Sequence, residues 1–231
     1  LEELSQGQAL MAILSNYASQ SLVTARCRIA ISSLGTSAAL NRETAKKIAL
    51  ASQLAQVDTY RAATHNKGIF NGIDALVVAT GNDWRAVEAG AHAYAARDGQ
   101  YRGLSTWTLE GDYLLGQMTL PLPIATVGGS IGLNPKVQAV FDILGHPDAR
   151  TLASLIVATG LCQNFAALRA LVTTGIQAGH MKLQAKSLAI LAGASEKEAD
   201  TIAQQLRKEK HTNLETAKQL LAQLRDKEKE A

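Results

Sequence analysis

Apolar positions recur along this chain in two rhythms. From Leu1 to Ala18, residues Leu4, Ala9, Leu10, Ile13 and Leu14 return at helical spacing, which predicts a helix over about 3–18. Leu22 to Ile31 (LVTARCRIAI) alternates instead, with Val23, Ala25, Cys27 and Ile29 on one face, and reads as a strand. Asn41, with Arg42, Glu43 and Thr44 behind it, is an N-cap pattern for a helix to about Gln56. Ile73 to Ala79 is short, apolar and β-branched between Gly72 and Gly81, and reads as a buried strand. A helix capped by Asn82 or Asp83 follows to about Arg97, with Val87, Ala91 and Tyr94 inward. Leu104 to Leu120 alternates on both sides of Glu110-Gly111-Asp112, a hairpin ended by Pro121 and Pro123. Beyond the loop from Thr126 to Gly132, helices are predicted over 134–144, 148–158, 161–175, 179–193, 195–208 and 211–228. Ser195 with Glu198 forms a capping-box pattern. There is no internal repeat. Elements that are mixed early and helical late predict an α+β fold. Its large domain is mostly helical, with short strands and a hairpin, and a small all-helical C-terminal domain follows.

Composition narrows the function classes. The chain has 231 residues, 47% hydrophobic, with 18 Gly and 4 Pro, which is enough for a sizeable core and typical of a globular protein. The net charge of +3 is too small for a protein that binds nucleic acid by neutralising phosphates. The late basic run Gln205 to Lys210 is interleaved with acids and reads as a solvated helix face. Cys27 and Cys162 give neither a disulfide framework nor a metal pattern. They fit two buried thiols in a reducing cytoplasm. No membrane span and no signal peptide is read from the sequence.

One stretch carries more polar residues than a core requires: THNKGIFNGIDALVVATGNDWRA, Thr64 to Ala86. Lys67 sits among Asn66, Gly68, Asn71 and Gly72. Glycine permits close approach of a ligand, and Asn66 and Asn71 each offer donor and acceptor. Arg61 supplies a fork for a carboxylate. Lys67 also reads as an ordinary exposed turn lysine, and Asp83 as a plain helix cap. In the functional reading Asp83 faces Lys67 across the ends of the strand. The pair keeps the ammonium charged for oxyanion stabilisation or proton donation. His180, in Gly179-His180-Met181 beside a helix break, is a candidate mobile acid near neutral pH. His65, His92, His146 and His211 lack such context and read as structural. Gly128-Gly129-Ser130-Ile131-Gly132 lacks a phosphate-loop pattern and reads as a tight turn near the substrate.

Three stretches then fall together: the Thr64–Ala86 segment, Thr126-Val127-Gly128-Gly129, and LCQNFAALRAL (Leu161 to Leu171) leading to GIQAGHMKLQA. Together they closely resemble the bacterial (class II) hydroxymethylglutaryl-coenzyme A reductases over essentially the whole chain. The resemblance implies a four-electron reduction of the thioester to mevalonate and coenzyme A with two NADH or NADPH, reversible in some members. Lys67 matches the lysine that holds the carbonyl oxygen. Asp83 matches the aspartate that supports it, and His180 the flap histidine that protonates the leaving thiolate. Arg61 and Asn71 match residues that hold the hydroxymethylglutaryl moiety. Asn66 accompanies them, and Gln163 and Asn164 lie in the segment that lines the pocket. A cytoplasmic homodimer with its active site at the subunit interface is implied, without nucleic acid, membrane or metal.

The chain departs from the family pattern in two places. It lacks a motif resembling ENVIG, which holds the catalytic glutamate, and one resembling DAMGAN, which binds the dinucleotide. The resemblance thus implies a C-terminal portion. Residues 1–20 would end the small cofactor-binding domain, 21–176 form the large substrate-binding domain and 177–231 the helical flap. Cofactor-binding residues stay unassigned, and the missing half would precede Leu1 or be a companion chain. Two other readings stand beside this one. One is an inactive fragment that keeps only association surfaces and exposes Leu4, Leu10 and Leu14. The other is a reductase of another acyl-coenzyme A.

Overall fold

Asp58 starts the helix that organises the fold. Its carboxylate accepts the backbone N–H groups of Tyr60 (2.8 Å) and Arg61 (3.2 Å) and caps α3 (Thr59–Ala79). The computed structural model describes the backbone of all residues except 130, 174, 210 and 231, and side chains other than those of 176–183 and 227–230. The described residues form two compact units, Leu1–Val172 and Thr173–Ala231.

In the first unit, α1 (Glu2–Ser5) precedes β1 (Leu22–Ala30), α2 (Ala38–Val57), α3, α4 (Trp84–Ala95), β2 (Ser105–Glu110), β3 (Tyr113–Pro121), α5 (Pro135–Leu144) and α6 (Ala149–Val172). The strands form an antiparallel sheet in the order β1-β3-β2. Gly116 on β3 pairs with Cys27 on one side and Trp107 on the other. A Cβ at Gly116 would lie 2.4 Å from the indole of Trp107, so the ring occupies the space a side chain would need there. Helix α6 packs on α3 and also on β1 and β3. Leu152, Ile156 and Leu168 of α6, Ile69, Ile73 and Val77 of α3, and Leu114, Met118 and Leu120 of β3 build one core. Two glycines allow the close crossing of α3 and α6. A Cβ at Gly160 would lie 2.8 Å from Ile73, and one at Gly72 3.0 Å from Gln163.

The hairpin, β1, the helices after Asn134 other than the two around Gly160, and the α+β class agree with the sequence. Elsewhere the fold corrects it. The segment 73–79 is the end of α3, not a strand. A short apolar run does not distinguish strand from buried helix by periodicity, and Ile69, Ile73 and Val77 fall on one helical face against α6. The predicted helix over 3–18 shrinks to Glu2–Ser5, ended by Gln6 in a left-handed conformation at φ 53°. Leu10 and Ile13 are 89% and 84% exposed, so the stripe has nothing to pack against, and packing is what sustains a short helix. Leu4 and Leu14 are exposed as well. Asn41 lies inside α2 rather than at its cap; it is buried and donates to the carbonyls of Ser32 and Gly35. The two helices predicted around Gly160 are the single α6, because that glycine serves the crossing rather than a turn. Among the described residues helix α6 is long and apolar enough, by length and composition alone, to cross a membrane, a test that the core helix of a soluble protein also passes. Here its apolar face is part of the core. Cys27 is half-buried, whereas Cys162 is exposed on α6 rather than buried.

The second unit comprises α7 (Ile176–Leu191), α8 (Glu196–Leu206) and α9 (Leu214–Glu230). Ser195 and Glu198 form the capping box expected at the start of α8. Ala185, Ala189, Ile202, Leu206 and Leu221 close its small core.

Candidate active site

Helix α3 presents two faces. Ala62, His65, Asn66, Ile69, Ile73 and Val77 are buried, whereas Thr64, Lys67 and Asn71 are exposed. At 3.6 residues per turn those three exposed side chains fall within about 60° of the helix circumference. Arg61 lies at the rim of this face and is half-buried, which pulls its pKa down. Among the described residues no carboxylate pairs with Arg61. A partly desolvated guanidinium without an anion is a receptor for one. Gly68 lies between Arg61 and Thr64 on the same face, and a Cβ there would meet nothing within 4 Å. The glycine therefore leaves a flat, open floor.

Behind this face lies a buried polar network. Asn66 is fully buried; it donates to the carbonyl of Arg102 (2.9 Å) and accepts the N–H of Leu104 (2.8 Å). Asn164 on α6 accepts from Ser105 Oγ (2.8 Å) and Trp107 Nε1 (2.8 Å). His65 Nε2 lies 2.7 Å from Ser105 Oγ. Burial, aided by the charge of Arg61, drops the His65 pKa to about 4. Asn66 and Asn164 thus spend their carboxamides inside the protein. Gln163 is half-buried against Gly72, one residue from Asn71.

Asp83 caps α4. Its Oδ1 accepts from the N–H groups of Arg85 (3.0 Å) and Ala86 (3.3 Å) and from Arg85 Nε (3.4 Å). The backbone bond to Ala86 leads in holding its pKa down, with Arg85 adding to it, so the carboxylate stays ionised. Asn82, the other cap candidate, instead bridges Thr80 and Ala125. Lys67 and Asp83 do not pair within one chain. Lys67 is mid-helix, about 15 Å along the axis from Val77, whose carbonyl takes the N–H of Asn82 beside Asp83. The ion partner of Asp83 here is Arg85.

A second acidic group lies on α3. Asp74 is driven to a pKa of about 6 by burial first, then by the charge of Glu88 on α4 and a shared hydrogen bond with it. Nearby, His92 Nδ1 lies 2.7 Å from the Tyr101 hydroxyl. His180 falls within α7, and its side chain lies outside the described residues, as does Ser130 of the glycine loop. Gly128 and Gly129 of that loop take left-handed conformations at φ 91° and 54°. The loop edges a cavity of about 370 Å³ with Gln138, Phe141 and His146. Among the described residues no group of three His, Cys, Asp or Glu side chains is placed to hold a metal.

The family model of hydroxymethylglutaryl-coenzyme A reductase matches residues 1–185. The chain belongs to this family. It is 42% identical over 226 residues to the 3-hydroxy-3-methylglutaryl-coenzyme A reductase of Archaeoglobus fulgidus, covering 97% of this chain and 50% of that protein. The solved reductase of Streptococcus pneumoniae is 66% identical, with a TM-score of 0.74 over 96% of this chain and 53% of that one. A class II reductase structure from the same organism, bound to NADPH in open conformations, matches with the same identity and TM-score over 97% and 55%. The chain thus spans about half the length of the relatives it matches.

For a reductase-family chain, sequence reasoning singled out Gly68 beside Lys67 but missed Thr64 as part of the face. Thr64, Lys67 and Asn71 stand at i, i+3 and i+7, a helical signature that was hidden once the segment was taken for turns around a strand.

Proposed function

We propose that the protein containing this chain reduces hydroxymethylglutaryl-coenzyme A to mevalonate and coenzyme A, consuming two NADH or NADPH and two protons. The observation that carries the reading is the α3 face: Lys67, Thr64 and Asn71 exposed together beside the unpaired Arg61. Arg61 receives the free carboxylate of the hydroxymethylglutaryl group, and Thr64 and Asn71 bond its oxygens. Gln163, packed against Gly72, borders the same face. The Lys67 ammonium stabilises the oxyanion that develops on the thioester carbonyl and again on the aldehyde. His180 gives a proton to the departing coenzyme A thiolate.

Asp83 acts on Lys67 of another copy. An ionised Asp83 and an exposed Lys67 that do not meet within one chain favour a homodimer whose active site spans the interface. In this reading residues 1–20 belong to a small cofactor-binding domain, 21–176 to the substrate domain and 177–231 to a flap, and the protein works in the cytoplasm.

NADH or NADPH supplies the hydride. The described residues do not form a complete cradle for it. The glycine loop does not run straight into a helix, and the next helix end, at α5, is filled by the Asn134 side chain. The test is oxidation of NADH or NADPH by the complete protein, driven by hydroxymethylglutaryl-coenzyme A. Turnover with a different acyl-coenzyme A and none with this one would replace the substrate.

A further inference from the structure

His65 is 2% exposed, and its Nδ1 has no hydrogen-bond partner. An orphaned nitrogen at such depth is costly unless something uses it. The two shortest contacts of Ser105, to Asn164 and to the ring, favour one form of the imidazole. Trp107 Nε1 donates to Asn164 Oδ1, which settles the orientation of that carboxamide. Ser105 has one proton and gives it to the same oxygen at 2.8 Å. The 2.7 Å contact between His65 Nε2 and Ser105 Oγ must then carry the imidazole proton. The approach of Asn164 Nδ2 to His65 Nε2, at 3.2 Å, is left as a contact between two donors. In that form His65 is neutral with its proton on Nε2, and Nδ1 is a bare acceptor. Its low pKa, about 4, agrees with that form.

On α3 the nearest cation to this acceptor is Arg61, one turn earlier, whose charge His65 already feels. At 3.6 residues per turn the two lie about 40° apart on the helix, His65 just inside the buried edge and Arg61 at the rim. We propose that His65 is a positioning residue for Arg61: its Nδ1 takes one guanidinium N–H when an anion draws the group inward, leaving the rest of the fork for a substrate carboxylate. Ser105, Asn164 and Trp107 brace the ring from behind. The inference rests on the proposed function for the identity of that carboxylate.

His65→Gln separates the two roles of the ring. Its amide reproduces the Nε2 bond to Ser105 and lacks an atom at Nδ1. In the complete protein, this variant should keep the wild-type melting temperature and kcat, and raise KM for hydroxymethylglutaryl-coenzyme A about tenfold, the effect of losing one charge-assisted bond. Placed in an Arg61→Lys background it should add less than twofold, because the partner is already gone. An unchanged KM, or a full tenfold effect in that background, overturns the proposal. Calorimetric titration with 3-hydroxy-3-methylglutarate reads the same cycle without turnover. If the wild type turns nothing over yet binds this dianion tenfold better than His65→Gln, the reductase reading fails and the positioning role holds. If the dianion does not bind the wild type, both fail.

Discussion

Gly68 and Gly72 stand one turn apart on α3 and meet opposite surroundings. A Cβ at Gly68 would enter open space, whereas one at Gly72 would lie 3.0 Å from the Gln163 Cβ and 3.3 Å from the Thr159 carbonyl. Gly72 is required for packing on α6, and Gly68 is not. In a helix interior, replacing a glycine with alanine stabilises by about 0.5–1 kcal/mol when nothing is in the way. Gly68→Ala should therefore raise the stability of the complete protein and at the same time raise KM, because it roughens the floor between Arg61 and Thr64. Gly72→Ala should cost about 1–3 kcal/mol by overpacking. Denaturant melts together with steady-state kinetics check both. A stabilised Gly68→Ala with unchanged KM would place the substrate elsewhere.

Arg61→Gln should weaken substrate binding about tenfold to a hundredfold through loss of a bidentate charged contact, with kcat largely kept. A fall in kcat at constant KM would mean that Arg61 acts on the reaction centre instead.

The Asp74–Glu88 pair sets a pH dependence. The folded-state pKa of Asp74, about 6, lies above its ordinary 3.8, so the fold favours the protonated acid. Its stabilising contribution is complete below 3.8 and is lost as pH rises through about 6. Melting temperature should fall between about pH 4 and about pH 7, and Glu88→Gln, by removing the opposing charge, should shrink that fall. Equal falls in wild type and variant would show that the pair does not control this stability.

His180→Gln should slow reduction of the thioester far more than reduction of the free aldehyde intermediate, because only the first expels a thiolate. Equal losses on the two substrates would assign His180 another role.

Much of this was legible in the sequence, for identifiable reasons. The hairpin at Gly111-Asp112 and the Ser195–Glu198 capping box are local patterns, and local chemistry decided them. Ile73 to Ala79 was not legible, because its β-branched run fits strand and buried helix equally and only the crossing with α6 chooses. Gly160 was read as a break for the same reason: its role is to admit Ile73, a long-range contact. Lys67 and Asp83 stood out by residue type and motif. Their separation along α3 depended on the helix that the sequence reading did not assign. Asn164 looked like a pocket residue, whereas Ser105 and Trp107, from a distant strand, hold it in the core. His65 was set aside as structural because burial removes any outward sign of its free Nδ1.

We propose that Lys67 of one copy works with Asp83 of another on a hydroxymethylglutaryl-coenzyme A substrate. The most direct measurement mixes complete protein carrying Lys67→Ala with complete protein carrying Asp83→Asn, allows subunits to exchange, and follows NADH or NADPH oxidation. Each variant alone should be nearly inactive. In a mixed dimer one of the two sites regains both native residues, so the mixture should recover turnover that neither parent shows. A mixture as inactive as its parents, with exchange verified by mass, would contradict the account.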